Sequence, residues 1–321
     1  MVAVLGYRVS IQFSKTRDAM GPPSLKKLDL NGRINHFNWL FEEHCGFISQ
    51  EDREYFWGKG LSNSGLGQFH KSVDHYFYDE RRETPAMVIG SACHTFVLEP
   101  HRFDDRFAIR PKVDRRTNAG KEEWKVFEAS LVRRDGRQKG VLSDDDMGMI
   151  YNIRQSIFSH PLAGGLFKNG IAEESCIWND PNTKCLMKGK TDWRMPDEKI
   201  IIDLKTTNDG SPEYLKRSMF SMRYHVQNAL YLDGVTEITG ESGYRFLFVF
   251  VEKFPPYAIS VIELDADAYD LGRRTYVQDI EKVILWLEMA NDRINSGDHE
   301  ALSCGYSEDV ILLETPKWLI G

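Results

Sequence analysis

The chain has 321 residues, of which 41% are hydrophobic and 28% are charged, and its formal net charge is −7. This composition is that of a folded globular protein and excludes general disorder. No stretch reaches the roughly 18 consecutive apolar residues that a membrane helix needs, and the start of the chain lacks the pattern of a secretory signal. We therefore expect a cytoplasmic protein without a membrane partner.

Five cysteines are scattered along the chain without a C-x-x-C pair. An odd number of separated cysteines is typical of reduced thiols in a cytosolic protein. The same spacing disfavours a zinc or iron–sulfur centre, because such centres need ligands in closer pairs.

The first half of the chain is predicted to be mostly helical. Residues 1–58 match no pattern that we can place, and we treat them as an N-terminal elaboration of unknown role. Ser62 or Asn63 is the expected N-cap of the next helix, and Pro85 lies in the first turn of the helix after it. Helices are expected over residues 62–78, 85–99, 119–135 and 144–158.

One stretch is basic although the whole chain is acidic. Between Arg106 and Lys139 there are eleven Lys and Arg residues and five Asp and Glu residues, which gives a local charge of +6. A local basic surface on an acidic protein suits an enzyme that handles DNA. The alternative is a solvated helix face with no binding role.

The second half changes to short apolar runs separated by Asn, Asp, Pro and Gly turns, which is typical of a β-sheet. The run Arg245–Glu252 is almost continuously apolar and predicts a buried central strand. Strands are expected over residues 172–178, 185–194, 199–206, 245–252 and 257–264, and helices over 222–233 and 266–295. We expect residues 59–298 to form one α/β domain, and residues 299–321 to be a C-terminal tail that packs on this domain or extends from it.

The segment Asp203-Leu204-Lys205 ends one of the predicted strands. Because side chains alternate along a strand, Asp203 and Lys205 share one face. Alone, the two residues are no more than a surface ion pair. However, Asp192 lies on the preceding strand, and a hairpin between the two strands brings Asp192 and Asp203 to the same end of the sheet.

Two carboxylates that converge repel each other unless a cation lies between them. Their oxygen atoms suit Mg²⁺ or Mn²⁺, which also bind water and substrate phosphate. Such a metal polarises a phosphoryl oxygen and lowers the pKa of a bound water. Lys205 can hold that water or offset the charge that develops on the phosphate. The sequence therefore predicts a metal-dependent nuclease.

Three further residues belong to the same pattern. His94 follows Gly90 by one helical turn, and Gln227 and Tyr231 lie one turn apart on a helix downstream of the strand. The ordered series G-x-x-x-H, D, D-x-K and Q-x-x-x-Y is the signature of the RecB-like branch of the PD-(D/E)xK nucleases. A Cys–His hydrolase built on Cys93 and His94 is disfavoured, because neighbouring residues on a helix point apart.

Longer segments extend the similarity over roughly residues 60–285. They are LSNSGLGQFHKSVDHYF, ETPAMVIGSACHTFVLEP, DRRTNAGKEEWKVFE, AEESCIWNDPNTKCLMKGKTDWR, IIDLKTTNDGSPEYLKRSMFSMRYHVQNALYLDG and FVFVEKFPPYAISVIELD. These segments resemble the nuclease domain of the RecE family (exonuclease VIII). The resemblance implies an α/β fold of the PD-(D/E)xK, or restriction-endonuclease-like, type, with a central mixed β-sheet flanked by helices.

The resemblance also implies an activity. Members of the family are Mg²⁺-dependent exonucleases that degrade one strand of linear double-stranded DNA from a 5′ end, and Mn²⁺ is expected to substitute for Mg²⁺. They leave a 3′ single-stranded tail, on which a RecT-like annealing protein loads during recombination. They form homo-oligomeric rings around DNA, and we expect the same of this chain.

The resemblance assigns roles to the matching positions. The implied metal ligands are His94, Asp192, Asp203 and the backbone carbonyl of Leu204. Lys205 is the implied catalytic lysine, and Gln227 and Tyr231 orient the lysine, the water or the scissile phosphate. For His94, Gln227 and Tyr231 the alternative is a structural role in the core or on a helix surface.

Further candidates lie outside this group. Glu174 is a weaker acidic candidate, and the pattern does not decide between it and Glu173. Ser62 and Ser64 are expected to contact a DNA phosphate at a helix N-terminus, although Ser62 could serve only as the cap. Arg115 and Arg116 are expected along the path of the DNA.

Two other functions stay open at this point. One is a RecB-like nuclease with a different polarity or a single-stranded substrate; the CRISPR-associated members are disfavoured because they usually need four cysteines at a spacing that this chain lacks. The other is a DNA-end-binding module without catalysis, which has no need to keep Asp192, Asp203 and Lys205 together.

Overall fold

The computed structural model describes residues 2–4, 7–9, 28–48, 58–78, 84–297 and 306. The strands are β1 (Val2–Val4), β2 (Tyr7–Val9), β3 (Gly46–Ile48), β4 (Phe107–Ile109), β5 (Gly140–Leu142), β6 (Ile171–Asn179), β7 (Leu186–Met195), β8 (Ile200–Thr207), β9 (Arg245–Glu252) and β10 (Ile259–Glu263). The helices are α1 (Leu30–His36), α2 (Asn63–Lys71), α3 (Val73–Tyr78), α4 (Pro85–Leu98), α5 (Phe103–Arg106), α6 (Asn118–Ala129), α7 (Asp144–Ser159), α8 (Ala163–Leu166), α9 (Pro212–Ser221), α10 (Tyr224–Thr239) and α11 (Ala266–Asn295).

A six-stranded mixed sheet in the order β10-β9-β8-β7-β6-β3 forms the centre of the fold. Strands β6, β7 and β8 form an antiparallel meander, and β8 pairs in parallel with β9. Because parallel neighbours need a crossover connection, the chain between β8 and β9 forms α9 and α10. The predicted α/β fold with a central mixed sheet flanked by helices is confirmed, and most of the strand pairs are antiparallel.

The sheet is buried on both faces. On β9, Phe246, Phe248 and Phe250 pack in one core with α10 and α11. The alternate residues Val249 and Val251 pack in a second core with α4 and α7. A strand that is covered on both sides has no polar face, which accounts for the continuous apolar run that identified β9.

The structure corrects the boundaries of two predicted helices. The helix expected over residues 62–78 is interrupted at Ser72, whose backbone is extended, and the chain continues as α3. The hydroxyl of Ser72 accepts a hydrogen bond from the amide of His75, so it caps the second helix. Ser62 is the N-cap of α2, and it was one of the two residues predicted for this position.

The helix expected over residues 119–135 ends at Ala129. The residues that follow form a short hairpin, in which Val132 forms a β-bridge with Gln138 and Gly136 adopts φ +81°. The backbone amide of Arg133 donates to the carbonyl of Arg137 across this hairpin. The chain therefore turns back at a glycine with left-handed backbone, where a helix cannot continue.

The ends of the chain are described only in part. Strand β3, within residues 1–58, extends the central sheet by pairing with β6, and α1 packs on α11. The expected C-terminal tail, residues 299–321, lies outside the described residues except for Tyr306. None of the described helices has the length and apolar character needed to span a membrane.

Helices α10 and α11 approach closely at Gly272. A Cβ atom at this position would lie 2.1 Å from the carbonyl oxygen of His225 and 3.1 Å from the Cβ of Ala229. Both contacts are on α10, the helix that carries Gln227 and Tyr231. Only glycine allows the two helix backbones to pack at this distance.

We expect Gly272→Ala to lower the free energy of unfolding by about 1–3 kcal/mol, because the added methyl group forces the helices apart. The matched control is Gly148→Ala in α7, where nothing lies within 4 Å of the added Cβ. This control should stabilise the protein slightly, because alanine favours a helix over glycine by up to about 1 kcal/mol. Urea denaturation of both variants measures the difference, and equal effects would contradict the close approach.

Candidate active site

The pairing register of β7 and β8 places two carboxylates together. Trp193 pairs with Ile202, so Asp192 lies opposite Asp203. The regular ladder stops here, and the backbone amide of Leu204 donates to Oδ2 of Asp192 at 2.8 Å. A buried amide needs a partner, and the side chain of Asp192 supplies one where the strands separate. The structure thus brings the predicted pair of aspartates together at the point where β7 and β8 separate, within the sheet and not at its end as the sequence predicted.

His94, Glu173 and Asp192 form a group with the composition of a metal site. One possible ligand atom from each lies within 4.8 Å of the others, and Nδ1 of His94 lies 3.5 Å from Oδ2 of Asp192. The three residues come from α4, β6 and β7. Carboxylate oxygen is the preferred protein ligand of Mg²⁺ and Mn²⁺, and imidazole nitrogen binds divalent transition metals.

The acidic residue of β6 in this group is Glu173. Its neighbour Glu174 was the acidic candidate named from the sequence. Glu173 has φ +53° and lies between the pairs that Ala172 and Glu174 make with β7, so the strand has a local irregularity there. Glu174 binds Arg194 instead, with 2.7 Å between its Oε2 and Nε of the arginine. The alternation of an ordinary strand cannot predict this arrangement, because left-handed backbone is rare outside glycine.

Asp203 and Lys205 share a face of β8, as their spacing predicted, and form an ion pair. Oδ1 of Asp203 also accepts a hydrogen bond from the side-chain amide of Gln227. The lysine ammonium lies 5.2 Å from the centre of the Tyr224 ring. Asp203 is therefore held by two donors from β8 and α10, and its role as a metal ligand stays a prediction.

Electrostatics in the site favour a bound cation. The pKa of Asp192 is raised to about 7, because burial and the nearby carboxylate of Asp203 raise it more than His94 lowers it. Burial acts to lower the pKa of Lys205, but the carboxylates of Asp203 and Asp192 outweigh this effect and raise it. A cation near Asp192 would favour its charged form, so the donor set and the charge balance both fit a divalent metal held by His94, Glu173 and Asp192.

Tyr231 lies one turn after Gln227 on α10, and its hydroxyl accepts a hydrogen bond from the backbone amide of Lys190 at 3.2 Å. Lys190 in turn forms an ion pair with Glu173 at 2.5 Å. Leu204 is fully buried in the hydrophobic core under the sheet, and its backbone amide binds Asp192. Tyr231 therefore positions the strand that carries Lys190 and Asp192, and the predicted binding of a metal by the Leu204 carbonyl stays a prediction.

A cavity of about 570 Å³ opens onto this group. It is lined by Ser62, Asn63, Ser64, Gly90, Ser91, His94, Thr95, Arg106, Phe107, Arg133, Arg137, Gln138, Gly140, Glu173, Lys190, Asp192, Gln227 and Tyr231. Ser62 also caps α2, because its Oγ accepts from the amide of Gly65 at 3.1 Å. The two expected roles of Ser62, as a cap and at the site, are thus compatible.

Arg115 and Arg116 are not among the residues that line the cavity. The guanidinium of Arg115 stacks on Trp124 at 4.2 Å, and Arg116 forms an ion pair with Asp114 at 3.0 Å. Their place on a DNA path stays a prediction. The arginines that do line the cavity are Arg106, Arg133 and Arg137, which belong to the same basic stretch but were not singled out from it.

A mixed sheet that carries Asp192 on one strand and Asp203-x-Lys205 on the next is the arrangement of the PD-(D/E)xK class of folds. The model of the family described as "PDDEXK-like domain of unknown function (DUF3799)" matches residues 62–305. The chain belongs to this family, and with it to the PD-(D/E)xK nuclease superfamily.

Comparison with solved structures supports the same fold. The crystal structure of a "Putative exonuclease" from Eubacterium rectale matches with a TM-score of 0.51 and 13% sequence identity. The match covers 85% of this chain and 98% of that chain. The structure of SSO0001 is 13% identical and covers 67% of this chain and 83% of that chain. Its TM-score of 0.26 is too low to indicate a common fold. No curated protein matches the sequence significantly.

We expect Glu173→Gln to weaken the binding of Mn²⁺ at least about tenfold, because the group loses a charged ligand. Glu174→Gln is the matched control, since it changes the neighbouring carboxylate that binds Arg194. Isothermal titration calorimetry with Mn²⁺ measures both affinities. If Glu174→Gln weakens the metal as much as Glu173→Gln does, the assignment of Glu173 is wrong.

Proposed function

We propose that this protein is a divalent-metal-dependent nuclease that hydrolyses phosphodiester bonds of DNA. The observation that carries the proposal is the position of the pair Asp203 and Lys205 beside the group His94, Glu173 and Asp192. One set of side chains suits a cation, and the adjacent lysine suits the charge that develops on a phosphate. Membership in a PDDEXK-like family supports the proposal.

The residues of the chain have distinct tasks in this reaction. His94, Glu173 and Asp192 would hold the metal, which when bound supplies Lewis-acid stabilisation of the phosphoryl group and an activated water. Lys205 stabilises negative charge at the reacting phosphate, and its raised pKa keeps the ammonium protonated at neutral pH. Gln227 fixes Asp203 through the hydrogen bond to Oδ1, and Asp203 in turn orients Lys205.

The finer proposal is an exonuclease that degrades linear double-stranded DNA from 5′ to 3′ and leaves 3′ single-stranded tails for recombination. It rests on the resemblance of the quoted segments to the RecE family. The same resemblance supports Mg²⁺ as the metal, a RecT-like annealing partner and a homo-oligomeric ring. A nuclease of other polarity, or one that acts on single strands, is the alternative within the same active-site chemistry.

We expect both Asp203→Asn and Lys205→Ala to slow the cleavage of linear duplex DNA at least about 100-fold. Lys205→Ala removes the positive charge that stabilises the reacting phosphate, and Asp203→Asn removes the carboxylate that orients Lys205. The assay uses duplexes labelled at the 5′ or the 3′ end, with Mg²⁺ present. Lys216→Ala is the control, since Lys216 is exposed on α9 and does not line the cavity. It should cleave at the wild-type rate.

The substrates separate the alternatives. A 5′→3′ exonuclease releases a 5′ label as the first product, leaves a 3′ label on a shortened strand and spares closed circular DNA. Excess EDTA should abolish cleavage in every case. If the wild type leaves all linear and single-stranded substrates intact in the presence of Mg²⁺ or Mn²⁺, the nuclease proposal is wrong and a DNA-end-binding module becomes the better explanation.

A further inference from the structure

Arginines from one chain segment line the cavity of the candidate active site. Four basic side chains line the cavity, and three of them, Arg106, Arg133 and Arg137, come from the segment that contains α5 and the hairpin after α6. The two acidic side chains among the described lining residues are Glu173 and Asp192, which both belong to the proposed metal site. The same cavity therefore offers a group that suits a cation and arginines that suit an anion.

The hairpin arginines are held in place before any ligand binds. Oδ2 of Asp135 lies 3.3 Å from Nη2 of Arg133 and 2.6 Å from Nη2 of Arg137, so one carboxylate bridges both guanidinium groups. The side chain of Arg133 is 10% exposed and that of Arg137 is 27% exposed. A guanidinium that an ion pair holds in place loses little rotational freedom when it binds an anion, so these two arginines are preorganised.

Carboxylates of the same chain segment fix these arginines. Glu99 contacts both Arg102 at 2.9 Å and Arg106 at 3.3 Å. Asp105 lies 3.9 Å from Nε of Arg133, an arginine that Asp135 also contacts. Each guanidinium has five N–H donors in a planar fork, so an arginine that is held by a carboxylate can still bind a phosphate.

We propose that Arg133 and Arg137 bind a backbone phosphate of the same DNA strand whose scissile phosphate lies at the group His94, Glu173 and Asp192. The planar guanidinium matches two phosphate oxygens. A cavity of about 570 Å³ is larger than a single phosphate needs and suits a ligand of several groups. This inference rests on the proposed function and adds the residues that fix the strand's position.

Binding without cleavage tests the inference. In an Asp203→Asn background with Mg²⁺, Arg137→Ala should weaken the binding of a fluorescent duplex about tenfold, as expected for the loss of a charge-assisted hydrogen bond. The slope of log affinity against log salt should fall by about 1. The control is Arg134→Ala, in the same hairpin but 95% exposed and outside the cavity lining, which should change affinity less than about twofold.

A chemical double-mutant cycle identifies the phosphate. Each duplex in a series carries one neutral methylphosphonate linkage, at a different position. At a single position, the neutral linkage should weaken DNA binding by the Arg134→Ala protein but not by the Arg137→Ala protein. Penalties that add at every position would overturn the inference. A further comparison uses duplexes with and without a terminal phosphate. If Arg137→Ala weakens binding only when the terminal phosphate is present, Arg137 binds the strand end and the backbone assignment is wrong.

Two measurements keep the outcome unambiguous. Arg137→Lys retains the charge without the guanidinium fork and should lose less affinity than Arg137→Ala, and thermal unfolding without DNA checks that the hairpin variants fold. If the parent binds DNA and Arg137→Ala binds as Arg134→Ala does, the inference fails while the nuclease proposal stands. If the wild type neither binds nor cleaves DNA, both fall together.

Discussion

The site depends on one hydrogen bond at the point where β7 and β8 separate. The side chain of Asp192 accepts the backbone amide of Leu204, so it replaces the next bond of the ladder. Because the amide is buried, it must have this partner or one like it. The strands can therefore diverge without an unpaired amide, and the gap holds Asp192 and Asp203 close together. Their mutual repulsion is tolerated because Lys205 and His94 lie beside them.

Helix α10 connects this gap to the rest of the fold. It carries Tyr224, Gln227 and Tyr231, which contact Lys205, Asp203 and the strand β7 respectively. Its beginning is anchored by Arg223, whose guanidinium binds Asp279 of α11 at 2.5 Å. Asp279 is fully buried, so this contact and the close approach at Gly272 fix α10 against α11. A helix that is fixed at two points holds its polar groups at the site with little freedom, which is what a preorganised site requires.

Patterns of period two and period 3.6 predicted most of the elements. Arg245–Glu252 and the helix over residues 266–295 have the predicted bounds, because burial on both faces or on one helix stripe leaves a clear sequence signal. The sequence did not decide between Glu173 and Glu174, since a left-handed backbone at a glutamate leaves no such signal. The hairpin around Gly136 was read as helix because its charged residues have good helix propensity. The spacing of Asp192 and Asp203 predicted that they lie close together. The position of Glu173 beside Asp192 involves a local irregularity of the strand.

The charge of the whole protein sets a condition on any DNA complex. A net charge of −7 repels a polyanion at a distance, but at physiological salt this repulsion is screened beyond about 8 Å. Attraction must therefore act at short range, within the cavity. There, Glu173, Asp192 and Asp203 would repel a phosphate unless a cation offsets their charge, while Arg133 and Arg137 would attract it. A divalent ion at His94, Glu173 and Asp192 would thus also let the acidic residues accept the strand, so metal binding and DNA binding at this site would be coupled through charge.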